Sequence, residues 1–397
     1  MRASAALAER RHEVRAAARG WKGAGGIDAA TLAAIDAAYP DDRSRLGPVF
    51  RVLVFGFTVV AVTAFLGLLW LPAASSGEGP TATLLVLFGI ALAGATEVQL
   101  GAFRRRQGGT ESATAFLAVS SLWGGLFRLV EIGGREASVG EGGRFDSALL
   151  LLAALCGAAA YRWGYSAFAL VATIGLFLLL ARVPFGRGLW VAVTALGAPV
   201  FLRASDSARL PPPHRRSCEA VAILSLVFLY AAVHLGSWDL GLVEMVSDHS
   251  GRFLSSSSPP ARPLFAAATA LVPVLALAWG VSVRRRSLIN LGFVGVVASM
   301  VTLRAYVHVA PLWTALLLGG GTALGLALAL RRALDSGPGR VRRGFTAEPL
   351  FADAERRSAL EVAIGLAGSS PAARPMEERG FAAGGGRSGG GGASGGF

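Results

Sequence analysis

Charged and histidine side chains inside apolar sequence are the residues of this chain that could do chemistry. Arg128 and Glu131 lie near the end of one apolar run, His234 closes a second, and Arg304 and His308 close a third. A charge at the centre of a bilayer costs at least ~2.5 kcal/mol, so each needs a partner or a wet cavity. Arg128 is sixteen residues beyond Ser112, His234 sixteen beyond Cys218, and Arg304 seventeen beyond Ser287. At 1.5 Å per residue these three share a level roughly 24 Å from the side where their runs begin, with Glu131 and His308 slightly further out. Asp239 follows in the long loop Ser237–Pro263. Arg128, Glu131, His234, Asp239, Arg304 and His308 therefore form a candidate polar vestibule suited to a small polar or anionic solute. The bland alternative is a headgroup-level layer, where such side chains are cheap and bind nothing.

Other chemistries have weaker support. His234 or His249 could act as a base oriented by Asp239 or Asp248, but no motif fixes their geometry. His12, His214, His234, His249 and His308 include no pair at helix-ligand spacing, and Cys156 and Cys218 are far apart, so no metal or disulfide framework is expected. No HExxH motif occurs, and GxSxG spacing is found only in the low-complexity Gly/Ser-rich end, where it makes no elbow. The Gly319-Gly320-Gly321 string lacks the Gly-Lys-Ser/Thr ending of a phosphate loop. With Gly325 it reads instead as a small-residue packing face. Catalytic, cofactor-binding and metal residues are accordingly none, and no cofactor is expected. Glu97 differs from Arg128 by about 14 Å in depth, so it should reach toward Arg104 or accept a hydrogen bond from a neighbouring helix. The Arg104-Arg105-Arg106 triplet is expected to sit in water as topogenic charge.

The elements that must position these residues are membrane spans. Of 397 residues, 53% are hydrophobic and 16% charged, with mean hydropathy +0.54; a soluble domain carries roughly 25% charged residues. The net charge of +13 comes almost wholly from arginine, since Lys22 is the only lysine. Those arginines flank apolar runs and are not interleaved with stacking aromatics, so a nucleic-acid partner is not expected. Spans of roughly 20 apolar residues fall near Val49–Leu71, Thr81–Phe103, Ser112–Ile132, Ser147–Trp163 and Tyr165–Ala181. Five more fall near Gly188–Leu202, Cys218–Gly236, Leu264–Val283, Ser287–Ala305 and Pro311–Leu330. Residues 147–163, 165–181 and 188–202 are the short ones. Arg162 between Tyr161 and Trp163 marks an interfacial turn between the fourth and fifth spans.

Arginine is richer before the first span, in the even-numbered loops and after the last span, which places both termini in the cytoplasm. The first apolar run would act as a retained signal anchor, because the charged segment before it has no cleavable leader pattern. Pro199 and Pro273 are the candidate helix breaks that a transporter would use. The segments beginning at Arg104 and Arg284 share an arginine triplet and a later arginine, a faint internal similarity.

Residues 1–45 read as a cytosolic helical hairpin. Its first helix ends near Gly20 with Leu7, Val14 and Trp21 on one face; its second, Ala29–Tyr39, is capped by Asp28 and turns Leu32, Ile35 and Tyr39 back. Residues 46–332 form the transmembrane bundle. Residues 333–397 form a cytosolic tail with one amphipathic helix at Asp353–Leu366 and a disordered Gly/Ser-rich end. The stretch GWKGAGGIDAATLAAIDAAYPDDRSRLGPVFRVLVFGF, through Trp21, Gly26, Ile27, Ile35 and Tyr39, resembles the N-terminus of a class of uncharacterised bacterial polytopic membrane proteins. That resemblance implies a bacterial inner-membrane setting and carries no activity with it.

The expected fold is thus an all-α polytopic bundle of about ten transmembrane helices. The expected function is a non-enzymatic structural, accessory or sensory role with the lipid bilayer as partner. A transporter or channel for a small polar or anionic solute is the second reading, and a membrane-embedded enzyme the third.

Overall fold

Proline and glycine mark most of the helix boundaries. The computed structural model describes residues 3–23, 25–40, 45–75, 77–136, 140–183, 186–235 and 262–307, with Arg43 and isolated positions between 314 and 346. The chain divides into two units, Met1–Gly319 and Gly320–Phe397.

The first unit opens with α1 (Ala3–Gly23) and α2 (Ala29–Ala38). Gly25, at φ 73°, turns the chain between them. Asp28 caps α2 by accepting from the Thr31 N–H at 2.7 Å, and hydrogen bonding from Thr31 holds its carboxyl below the usual carboxylate range. Arg15 on α1 meets Asp36 on α2 at 2.6 Å. The buried face of α1 differs from the periodicity reading. Leu7 and Trp21 are half exposed, while Ala5, Ala8, Glu9 and Ala18 are buried. Small residues allow close approach, and α1 rests on a surface that is itself charged.

Nine further helices follow among the described residues: α3 (Pro48–Ala74), α4 (Glu78–Gly101), α5 (Thr110–Glu136), α6 (Glu141–Trp163), α7 (Ser166–Arg182), α8 (Gly186–Ser205), α9 (Pro212–Val233), α10 (Arg262–Val283) and α11 (Arg286–Val307). Eight of these, all but α7, are long and apolar enough to cross a bilayer. The last expected span, 311–330, lies largely outside the described residues. The chain is therefore a helical, multi-pass membrane-type protein. At 17 residues α7 is at the lower limit of the roughly 17–25 that a crossing takes. It is nevertheless held firmly: Phe177 is fully buried, stacked on Phe228 of α9 with ring centroids 4.3 Å apart and edge-on to Trp190 of α8.

Helices α4 and α5 pack closely because Gly89 and Gly125 lie at their contact. A Cβ on Gly125 would come within 2.8 Å of the Ala82 carbonyl and the Val86 backbone. In the same way Gly292 faces the Leu277 backbone, bringing α10 and α11 together. Close packing of this kind substitutes for the hydrophobic effect, which has no pull between helices in lipid. A buried cluster of Leu92, Ala118, Cys156, Trp163 and Phe168 joins α4, α5, α6 and α7. Large side chains on the outside are apolar, with Phe57 76% and Leu68 67% exposed on α3, a surface that only lipid would cover favourably. In the second unit, β1 (Val341–Arg342) and β2 (Phe345–Thr346) pair antiparallel, Val341 opposite Thr346. The helix expected at 353–366 and the Gly-rich end lie outside the described residues.

Candidate functional site

Consecutive helices of the bundle alternate in direction, so the starts of α3, α5, α7, α9 and α11 meet the ends of α4, α6, α8 and α10. This is the end carrying the Arg104–Arg106 triplet. Its members are not equivalent, which corrects the expectation that all three sit in water. Arg104 and Arg105 are exposed, whereas Arg106 is 4% exposed. The Arg106 Nη1 donates to the Trp163 carbonyl at 2.8 Å, one of the acceptors that the last turn of α6 leaves without a helical donor. Its guanidinium lies 5.0 Å from the centre of the Tyr165 ring. Gly164, at φ 74°, reverses the chain there and allows α7 to start two residues later.

The α1 helix lies across this end. Glu9, 3% exposed, places its Oε1 3.0 Å from Arg45 Nη2 and 3.4 Å from Arg106 Nε. Arg10 donates to the carbonyls of Ala208 and Arg209, both at 3.3 Å. Glu13 pairs with Arg215 at the start of α9. The docking is dominated by charge, with only alanines supplying buried apolar contact from α1.

Beneath Glu9 is a cavity of about 320 Å³ whose lining includes Glu9, Arg51, Arg106, Glu111, Tyr165 and Arg216. Residues of the first turns of α3, α5, α7 and α9 border it, and α3, α7 and α9 have no side-chain N-cap hydrogen bond. The positive end of the helix dipole favours an anion at each of these starts; open N–H groups are added by α3 and α7 but not by the first turn of α9, which opens on Pro212 and Pro213. Glu111 is fully buried and already engaged, accepting from the Gly108 N–H at 2.7 Å. Arg51 and Arg216 have no carboxylate or hydrogen-bond partner for their side chains among the described residues. The Tyr165 hydroxyl is buried without a hydrogen-bond partner; burial raises its pKa and keeps it a proton donor. The three arginines outnumber the two carboxylates of the lining, so the cavity is electropositive.

Gly109 holds the α4–α5 connection in place. Its φ is 97°, and a Cβ there would sit 2.5 Å from the Arg51 carbonyl. Only glycine fits both constraints.

The residues of the expected vestibule fall in two groups. Arg128 pairs with Glu131 at 2.9 Å, and Glu131 pairs with Arg135 at 2.6 Å; Arg135 also reaches Glu78 at 3.3 Å. Glu131 lines a hollow with Phe127, Arg135, Arg144 and Phe145. His234 belongs to another set of helices. Its Nε2 is 2.8 Å from the Thr302 hydroxyl of α11, and its ring packs edge-on to Tyr230. Nearby, Ser299 donates to the Thr269 carbonyl at 2.6 Å and the Leu235 N–H donates to the Thr269 hydroxyl at 2.8 Å, tying α9, α10 and α11 together. Arg304 is half-buried on α11, and Asp239 and His308 lie outside the described residues. The α5 helix packs on α3, α4 and α6, while α9 packs mainly on α7 and α8, with lesser contacts to α1, α6, α10 and α11; α5 and α9 share only α6 as a neighbour.

Glu97 finds its partner on a neighbouring helix, as one of the two expectations held. It accepts two bonds from Arg162, at 2.7 and 2.9 Å, and a third from Trp163 Nε1 at 3.0 Å. Among the described residues no three His, Cys, Asp or Glu side chains are grouped to hold a metal ion. No protein-family model matches the chain, and no curated protein or solved structure matches it either.

Proposed function

We propose that the chain is a non-catalytic sensory or accessory protein of the bacterial inner membrane, with both termini in the cytoplasm, whose N-terminal helix is a charge-held latch on the arginine-rich end of the bundle. The observation that carries this reading is the burial of Glu9 between Arg45 and Arg106. A helix docked by apolar area stays docked, because nothing in the cytoplasm competes with its contacts. A helix docked by a carboxylate on arginines is released by any anion that binds those arginines better, or by loss of the carboxylate. Release would uncover the face of α1 that carries Ala5, Ala8, Glu9 and Ala18.

The transport reading receives less support. Both α8 and α10 run unbroken through Pro199 and Pro273, and the cavity beneath α1 lies at one end of the helices instead of midway along them.

The latch is tested with a cysteine reporter at Ala8, 6% exposed on the buried face of α1, in a chain whose Cys156 and Cys218 are replaced by serine. Thiol labelling of Ala8→Cys is expected to be slow in the parent and at least tenfold faster once Glu9→Gln is added. Equal labelling rates with the fold retained would remove the latch.

A further inference from the structure

We infer that the cavity beneath α1 binds a phosphate group through Arg51, Arg106, Arg216 and the Tyr165 hydroxyl, and that this group competes with the Glu9 carboxylate for Arg106. The inference rests on the latch reading and names its ligand. Four observations converge on it. Arg51 and Arg216 line the cavity with no partner of their own among the described residues. The Tyr165 hydroxyl is a buried donor with nothing to donate to. The start of α7, which has no side-chain cap, borders the same space through Ser166 and Ala167. Glu9, already seated on Arg106, shows that the place accepts an oxyanion.

A phosphate fits this set better than a second carboxylate does. It carries up to two charges, and its several acceptor oxygens match donors arriving from different sides, guanidinium forks above all. The volume of about 320 Å³ is at the low end for small-molecule sites, roughly 300–1,000 Å³, so it admits a phosphate bearing one small substituent. That group can come from a soluble phosphate or from an anionic lipid headgroup at the membrane surface. The chemistry of recognition is the same for both. When the phosphate takes Arg106, Glu9 loses one of its two arginine partners and α1 loses its buried anchor.

The full-length protein in phosphatidylcholine nanodiscs is titrated with sodium phosphate at constant ionic strength, and in a second arm is placed in nanodiscs containing phosphatidylglycerol with no phosphate added. The readouts are the thermal unfolding midpoint and the labelling rate of Ala8→Cys. A raised midpoint together with faster labelling is expected in at least one arm. A response to inorganic phosphate alone assigns a soluble ligand, and a response to phosphatidylglycerol alone assigns a lipid headgroup. Arg51→Gln with Arg216→Gln, which removes no described contact of the fold, should weaken the response about a hundredfold, and Tyr165→Phe about tenfold. Glu9→Gln should shift half-saturation to lower ligand by about tenfold, since it removes the competitor. The inference falls if neither arm responds, if sodium chloride reproduces the response, or if the Arg51/Arg216 variant responds like the parent. If Glu9→Gln exposes Ala8→Cys while neither phosphate source acts, the ligand is refuted and the latch stands. If Glu9→Gln leaves the labelling unchanged, the latch itself has failed.

Discussion

Within the arginine triplet, Arg106→Ala should be costly and Arg105→Ala close to silent. The difference can be worked from the contacts. Deleting one partner of a buried ion pair costs roughly 3–5 kcal/mol. Arg45 remains 3.0 Å from the same Glu9 oxygen, so about 2 kcal/mol of that is expected here. The Trp163 carbonyl, deprived of its 2.8 Å donor, adds about 1 kcal/mol. Loss of the guanidinium over the Tyr165 ring adds about 0.5 kcal/mol. The sum is about 3–4 kcal/mol, and at about 2 °C per kcal/mol for a large chain it lowers the unfolding midpoint by roughly 6–8 °C. Intrinsic fluorescence from eight tryptophans reports the transition in detergent or nanodiscs. Glu9→Gln should account for only part of the loss, and Glu9→Gln with Arg106→Ala should cost less than the two singles added, because they share one contact. Midpoints for Arg106→Ala and Arg105→Ala that agree within experimental error would refute the reasoning.

Other substitutions separate the remaining interactions. Gly109→Ala should destabilise by at least ~1–2 kcal/mol, measured by the same midpoint, because alanine resists the positive φ and meets the Arg51 carbonyl. Glu97→Gln should cost less than ~1 kcal/mol, since Arg162 is half exposed and the Trp163 hydrogen bond survives. Arg128→Ala should leave yield and midpoint nearly unchanged, as Glu131 keeps Arg135, whereas Glu131→Ala takes a partner from both arginines, leaving Arg135 only Glu78, and should lower the yield of folded protein more. A cytoplasmic reporter fused after Phe397 and a periplasmic reporter inserted near Ser256 should both be active, as the arginine asymmetry requires.

Most of the helical architecture was legible from hydropathy and arginine placement. Each of the first nine expected spans coincides with a helix, its ends matching to within six residues, because the length of an apolar run in a membrane protein is dictated by the bilayer. The turn at Gly164 was marked by its aromatic and arginine neighbours, and Asp28 by its position before an alanine-rich run. Contacts between distant segments left no such mark. Glu97 and Arg162 are 65 residues apart, and nothing local distinguishes that arginine from its neighbours. Arg106 looks like Arg104 and Arg105 because topogenic selection needs only their charge, while burial depends on where α1 and the α6 end come to rest. Glu9 reads as one acid among arginines on a solvated helix. Periodicity chose Leu7 and Trp21 as the inward face of α1, yet a charged docking surface selects Glu9 and small neighbours. For the same reason the outer polar residues, alike in depth, were grouped by level alone. Depth fixes one coordinate and leaves open which helices are adjacent.

The docking of α1 is tested most directly by a distance measured across it. Spin labels at Ala17 on α1 and at Arg209, both exposed, report the separation of that helix from the start of α9 by pulsed electron resonance in nanodiscs. One narrow distance distribution is expected for the parent and a broad, longer one for Glu9→Gln, with the bundle's thermal transition still cooperative. A broad distribution in the parent, or a narrow and unchanged one in Glu9→Gln, would contradict it.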